Sequence, residues 1–422
     1  MNTAAGGMGN RRRLAARHSV RRLFCAAMLI PALLSGFAAT AAGSREDAWA
    51  GMLAAQTSLA VSAAFDLQGR LWRVRAEDGH VVVDRSPDAS GTFGPATRVN
   101  AEAEPIATSG DNRPKIAIGE DGTVYLSYTR MGERPFSGDI RFARSVDDGK
   151  SFSTPITIND NREVISHRFD ALIIDAEDRV HLVWIDKRDE SAARKADEPY
   201  PGAALYHAVS TDRGETFAPN VKLVDHSCEC CRIALALGPD GVPSAFWRHV
   251  YDGNVRDHAL MRLDSRDAPR RITHGQWRVD ACPHHGPALA IDRQGLHHFA
   301  WFDNGPDARG LFYAHSRDGG ATLSKPMPIS DPALRPDHPA VLAHDPSGRV
   351  WLAWKEFDGE STQLRSMHST DGGRGWSTPV TTASSADATD HPQLLAHGEQ
   401  VFVSWNTAAE GYLLIPLGEP QP

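Results

Sequence analysis

Four cysteines stand downstream of residue 42, and all of them fall in two short segments. Cys228, Cys230 and Cys231 surround Glu229, while Cys282 is followed by Pro283, His284 and His285. Thiolates grouped with imidazoles are soft donors. With His226 and His167 or His338 as further ligands, the set suits copper as Cu(I), or zinc. The spacing is not that of a zinc ribbon, and Arg232 follows Cys231 where a haem attachment site requires His. The same cysteines also fit disulfides, because their number is even and neighbouring loops of an exported chain meet an oxidising compartment. Adjacent Cys230 and Cys231 are poor partners for each other, since a vicinal bridge strains the peptide between them. Disulfides are the default expectation for the four cysteines, and a metal site is the sharper alternative.

The elements that must position these residues are announced by a repeated turn. Ser145, Asp147, Gly149 and Phe152 recur as Ser210, Asp212, Gly214 and Phe217, then as Ser316, Asp318, Gly320 and Leu323, and again as Ser369, Asp371, Gly373 and Trp376. The Asp accepts hydrogen bonds from backbone N–H groups of its own turn, and the Gly supplies a positive φ at little steric cost. The final large residue packs the turn back onto a sheet. Upstream of each turn the sequence alternates as a strand does, so the motif connects two antiparallel strands. Self-similarity at this period means an array or a propeller.

A second pattern runs in phase with the first. A short apolar strand, an Asp or Gly turn and a strand ending in an aromatic residue recur, with markers at Trp72, Tyr128, Trp184, Trp247, Trp301, Trp354 and Trp405. Seven strand pairs with hairpins between them predict an all-β fold, a β-propeller of four-stranded blades. Seven blades is the expected number, and six follows if the first or last copy belongs to a composite blade. The last unit lacks an evident fourth strand, which the segment between Ala48 and Ser58 is expected to supply. No linker divides residues 43–422, so they read as one domain.

Strands alternate in direction within a blade, so the Asp turns share one face with the turns joining strands 1 and 2. The opposite face collects the starts of first strands and the ends of second strands. The first set offers Asn112 and Arg113, His167 and Arg168, Cys231 and Arg232, His284 and His285, Asp337 and His338, and Asp390 and His391. The second offers Arg130, the run Asp186, Lys187 and Arg188, then Arg248 and His249, Asp303 and Asn304, Lys355 and Glu356, and Asn406. A polar ring fed by apolar strands at a channel mouth is where a propeller places its ligand. His167, Arg188, Asp303, Lys355, His338 and His391 are accordingly candidate binding residues.

On its Asp turns and its strand periodicity the chain resembles the Asp-box, or BNR-repeat, proteins, whose best-known members are sialidases. The resemblance implies a propeller whose boxes lie away from the active site. It also implies a sialidase-like glycoside hydrolase chemistry, in which clustered Arg grip a carboxylate, an Asp serves as acid/base, and a Glu activates a Tyr nucleophile. On that pattern Arg113, Arg168, Arg232, Arg188 and Arg248 are the candidate grips and Asp170 the candidate carboxylate. The family's N-terminal Arg-Ile-Pro signature is missing, with only Arg113 and Pro114 echoing it, and no Tyr stands where a nucleophile is required. Tyr412 lies inside a strand-like run. The reading that follows is a protein that cleaves or binds an anionic glycan at an Arg/His/Cys-rich mouth. Its alternative is a non-hydrolytic propeller that holds a metal or a partner there.

Residues 1–42 contain six Arg and no acidic residue, then an apolar run from Leu23 to Ala39 and small residues in an A-x-A pattern. This is the form of an export signal, so the chain is expected in the periplasm or outside the cell. Arg21, Arg22, Leu23 and Phe24 resemble the twin-arginine consensus, with Val20 where a polar residue is usual. No later stretch approaches the length of a membrane span. Beyond residue 42 the chain carries 39 basic against 53 acidic residues, a net of −14. That balance disfavours nucleic acid and anionic membranes as partners and leaves carbohydrate or another small anionic ligand.

Overall fold

The computed structural model describes residues 59–343 and 348–418. The expected export signal, the strand sought between residues 48 and 58, and Asp345 of the sixth strand-pair turn lie outside the described residues. Within them the chain forms seven antiparallel sheets, six of four strands and a last one of three. Each sheet is a blade built in chain order, spanning residues 61–98, 115–157, 167–227, 234–271, 288–328, 337–385 and 393–417. The first strand of every blade touches the first strands of the blades on either side, and that of blade 7 touches that of blade 1. The seven inner strands therefore close a ring. The α-helix Arg188–Lys195 interrupts this pattern between the second and third strands of blade 3.

The core sits between blades. Second and third strands present alternate apolar side chains to each side, so blade 1 meets blade 2 through Trp72, Val74, Val81, Leu126 and Tyr128. Blade 6 meets blade 7 through Trp351, Leu364, Val403 and Trp405. Six of the seven aromatic markers sit four residues after the start of the second strand's core, as Trp184 follows Val180 and Trp354 follows Val350. Trp72 departs from that phase. It follows Leu71 directly, at the position that Tyr125, His181 and Trp351 occupy in other blades, and its indole N–H donates to Asp66 Oδ2 at 2.8 Å.

The seam between blades 7 and 1 is stitched by polar groups. Asp390 accepts from the Val61 amide at 3.0 Å, Gln393 Oε1 from the Ala63 amide at 3.1 Å, and Asn406 donates to the Leu59 carbonyl at 3.0 Å. Phe65 adds a tilted ring contact with Phe402 at 5.3 Å.

All four Asp turns join third to fourth strands and share one hydrogen-bond pattern. In the first, Gly149 N donates to Ser145 Oγ at 3.0 Å and Ser151 N to Asp147 Oδ1 at 3.0 Å. In the last, the equivalent Gly373 and Gly375 amides lie 2.8 Å from Ser369 Oγ and Asp371 Oδ1. Gly149 and Gly373 have φ of 73° and 83°. The closing aromatic does something other than cover its own sheet: Phe217 of blade 3 packs edge-on against Phe142 of blade 2 at 4.9 Å, and Trp376 of blade 6 against Tyr313 of blade 5 at 4.8 Å. Each turn thus fastens its blade to the preceding one.

Candidate functional site

On the face opposite the Asp turns, two inner strands carry the same distortion. In blade 3 the pairing steps from Arg168 to Ala171 while the second strand steps only from Ile185 to Val183. In blade 6 it steps from Asp337 to Ala340 against Lys355 to Ala353. The extra residue is a β-bulge, which re-aims the side chains around it. Phe169 and His338, the second residue of each bulge, have φ of 57° and 47°, and His284 at the start of blade 5 has 53°. Non-glycine residues in this region store backbone strain, which clusters at ligand sites.

Several of the expected site residues are consumed by structure. Arg113 is 4% exposed and forms a two-pronged ion pair with Asp390, at 2.6 and 2.7 Å, while donating to the Val61 carbonyl at 3.0 Å. It ties blade 2 to the 7/1 seam. Asp170 is buried and accepts from Ser127 Oγ at 2.5 Å, binding blade 3 to blade 2. Arg248 donates to the carbonyls of Arg256 and Phe302, each at 2.8 Å, and lies over the Trp277 ring. Arg188 pairs with Asp160 at 2.6 Å and Asp186 at 2.8 Å, and His167, fully buried, bonds the Gly138 carbonyl at 2.9 Å. Asp303 accepts from the Gly305 amide at 2.9 Å, and burial pushes its carboxyl up.

The Tyr–Glu pair of a sialidase has one counterpart among the described residues, and it faces the wrong way. Tyr128 donates to Glu104 Oε2 at 2.6 Å, but its ring belongs to the packing between blades 1 and 2. Burial and then Glu104 raise the phenol's pKa, opposite to what a nucleophile needs. Tyr412 packs against Phe93 and accepts from Ser404 Oγ at 3.0 Å, on the outer strand of blade 7.

At the ring centre a polar cluster does converge. Arg232, from blade 4, donates to the Pro287 carbonyl of blade 5 at 2.7 Å, to Asp111 Oδ1 ahead of blade 2 at 3.3 Å, and to the Pro339 carbonyl of blade 6. Only a side chain crossing the axis reaches so many blades. Gly286 makes the crossing possible, because a Cβ there would collide with the Arg232 stem. His391 also reaches Asp111 Oδ1 at 3.3 Å, and its ring stacks on that of His338 at 3.3 Å. Burial favours the neutral acid at Asp111, yet Arg232 and His391 hold its pKa well below the usual range. Lys355 stands 4.0 Å from Asp337, and His285 stacks on Phe302 at 4.0 Å, where burial pushes its pKa down to about 4. Asp111, His338 and His391 offer one oxygen and two nitrogens within 4.8 Å of one another. Parallel stacked rings do not converge their lone pairs, however, and Arg232 already places positive charge on the carboxylate. The cluster is better built for polar recognition than for a cation.

Beside the axis lies a cavity of about 750 Å³ lined by Ser109, Arg134, Phe136, Arg168, Phe169, Lys187, Cys230, Cys282 and His284, among others. Arg168 is its distinguishing group. It is 7% exposed, its Nε has no partner, and its guanidinium forms no hydrogen bond or ion pair with a described residue. Its neighbours are the faces of Phe169 and Phe136, at 5.1 and 5.9 Å from the guanidinium carbon. Burial pushes its pKa down to about 10. Lys187 is partly neutralised by Glu229 at 3.1 Å, and Arg134 is exposed. The cysteines form the adjoining wall: Cys228, Cys230 and Cys231 are buried, Cys282 is exposed, and all four are free thiols here. The expected disulfides are not formed in this structure; Cys228 and Cys231 place their sulfurs 3.6 Å apart.

Sequence reasoning missed Asp111, Arg134, Phe136 and Arg256. Asp111 sits one residue before the pair Asn112 and Arg113, one step ahead of the strand entry that the alternation marks. Arg134 and Phe136 belong to the loop joining strands 2 and 3 of blade 2, which shares the functional face; a Pro-flanked aromatic in that loop was the available signal.

No family model and no curated protein matches the chain. Solved structures similar to it include an ulvan lyase from a family of polysaccharide lyases, at 13% identity over 86% of this chain and 94% of that one, with a TM-score of 0.51. The same values hold for that lyase bound to -[GlcA(1-4)Rha3S]-. A Hadza microbial sialidase matches at 15% identity over 83% of this chain and 73% of its own, with a TM-score of 0.48. At 13% identity the likeness to the lyase bears on the fold alone, which the sheets of this chain give as a seven-bladed β-propeller.

Proposed function

We propose that this propeller recognises an anionic glycan, with Arg168 as the group that takes the acid function. The observation that carries the reading is a buried guanidinium, without a described partner, facing a cavity large enough for a short oligosaccharide. Burying a charge is costly, and apart from the nearby Cys230 and Cys282 sulfurs no acidic group of a described residue offsets it, so an anionic ligand would complete the site. A carboxylate or sulfate carried by a sugar ring fits best, because Phe136 and Phe169 offer apolar faces beside the cation, and an Arg fork matches either anion bidentately. The similar ulvan lyase was solved with a glycan that carries a uronate and a sulfate, which is consistent with this chemistry. Export to the periplasm or beyond, proposed from residues 1–42, would put the chain where such polymers occur. Hydrolysis by the sialidase route is not proposed, since Tyr128 and Glu104 are committed to packing between blades.

Calorimetric titration with uronate-bearing, sialylated and sulfated oligosaccharides, each against its neutral counterpart, tests the reading. Charged members should bind and neutral ones should not. Arg168→Met should weaken binding by about 10- to 100-fold, the worth of a charge-assisted hydrogen-bond pair. Equal affinity for charged and neutral sugars, or unchanged affinity in the variant, would remove the proposal. Turnover of a fluorogenic sialoside that is lost in Arg168→Ala would replace recognition with hydrolysis.

A further inference from the structure

We propose that Cys228, Cys230, Cys231, Cys282 and His284 bind Cu(I), as two three-donor sets that share the Cys230 sulfur. The sequence brings them together by simple means. Cys228 to Cys231 form a turn just after the fourth strand of blade 3, and the turn brings the sulfurs of its first and last residues to 3.6 Å. The turn is pinned by the Cys228 amide, which donates to the Arg248 carbonyl at 2.9 Å. Cys282 and His284 arrive on the loop that leads into blade 5.

The donor atoms of Cys228, Cys230 and Cys231 all lie within 4.8 Å of one another, and so do those of Cys230, Cys282 and His284. Sulfurs sharing one metal ion at a bond length of about 2.3 Å sit about 3.8 to 4.0 Å apart, in tetrahedral or trigonal arrangement. The 3.6 Å between Cys228 and Cys231 is close to that spacing. Arg256 donates to Cys228 Sγ at 3.3 Å, a charged hydrogen bond that favours a thiolate and orients it, as outer partners of metal ligands do. No four donors among the described residues close to within the same distance, so the geometry offers two three-coordinate sets rather than the closed tetrahedron that structural zinc requires. Thiolate and imidazole donors in sets of three select soft Cu(I). Cys230, Cys282 and His284 line the cavity that holds Arg168, which gives the ion a path from solvent. The metal site adjoins the cavity of the glycan reading, but its test contains no glycan, so failure of either reading is seen separately.

The experiment uses the full chain, reduced and kept anaerobic, titrated with Cu(I) as its acetonitrile complex against bathocuproine disulfonate. Wild type should retain two Cu(I) per chain. Cys282→Ser, at an exposed position, should fold normally and retain one. Cys230→Ser should retain none, with circular dichroism and the thermal midpoint reporting whether it folds. Loss of all Cu(I) to the competitor overturns the proposal, as does unchanged stoichiometry in Cys282→Ser. A single Zn²⁺ held by all four thiols, with one Cu(I) in place of two, overturns the two-set arrangement. Purified native protein carrying two disulfides and no free thiols rules the site out.

Discussion

Replacing Arg113 by Met separates a ring fastener from a ligand grip. The Arg113 and Asp390 side chains are 5% and 6% exposed and make two short contacts, while Arg113 also holds the carbonyls of Val61 and Gly110 at 3.0 Å. Truncation leaves Asp390 buried with backbone amides alone. Removing one member of such a pair costs about 3 to 5 kcal/mol, because the survivor is an uncompensated buried charge. Burial already raises the Asp390 carboxyl despite Arg113 beside it, so loss of the Arg raises it further. The sign of the pH dependence follows. With the folded-state pKa above the ordinary carboxylate value, the folded chain takes up a proton that the unfolded chain has released, and the variant regains stability as pH falls toward 4. Equilibrium urea denaturation at pH 7 and pH 5 reads both effects. The variant's deficit should be about 3 to 5 kcal/mol at pH 7, smaller at pH 5, and largely repaired by Asp390→Leu in the same chain. A deficit below about 1 kcal/mol, or one that grows in acid, would refute the idea that this pair closes the seam.

Other outcomes are expected from the same geometry. Arg168→Met, which loses no described hydrogen bond, should leave urea stability at or above wild type; a loss like that of Arg113→Met would mean a structural role. Burial pushes His249 and His298 down to about 4, below the ordinary 6.5, so both stay neutral in the fold. The unfolded chain binds their protons first, so thermal stability should fall as pH drops from about 6.5 to about 4, by up to about 3 kcal/mol for each His. A flat profile down to pH 4 would contradict that. Gly373→Ala places a Cβ at φ 83° against the Tyr313 ring and hydroxyl and should cost about 2 to 5 kcal/mol. Gly372→Ala, at φ 71° with only ordinary contact to Leu296, should cost about 1 to 2 kcal/mol, both variants being compared by equilibrium urea denaturation.

The propeller was legible because each blade repeats its own local chemistry. A Ser-x-Asp-x-Gly turn closes itself, and period-two apolar strands flank it whatever the tertiary partner. What the repeat did not reveal was direction. Phe217 and Trp376 pack onto the preceding blade, a relation between units that no single unit contains. Trp72 read as in phase because its interval is similar, although it occupies the position of Tyr125. The face opposite the Asp turns was legible by strand alternation, and Arg168, Arg232, His338 and His391 lie on it. Which of its charges are free was not, since Arg113 and Arg168 look alike in sequence. They part company only when the ring brings Asp390, distant in sequence, against Arg113, while no carboxylate of a described residue pairs with Arg168. The thiols show the same limit: C-x-C-C and C-P-H-H are visible, while the distance between them is set by the packing of blade 4 against blade 5.

A crystal structure with a uronate-bearing oligosaccharide tests the central claim most directly. The sugar should occupy the cavity between Phe136 and Cys230, with its carboxylate within hydrogen-bond distance of the Arg168 guanidinium. A sugar held by Arg232 at the axis, or on the face of the Asp turns, with Arg168 still unpaired, would contradict it.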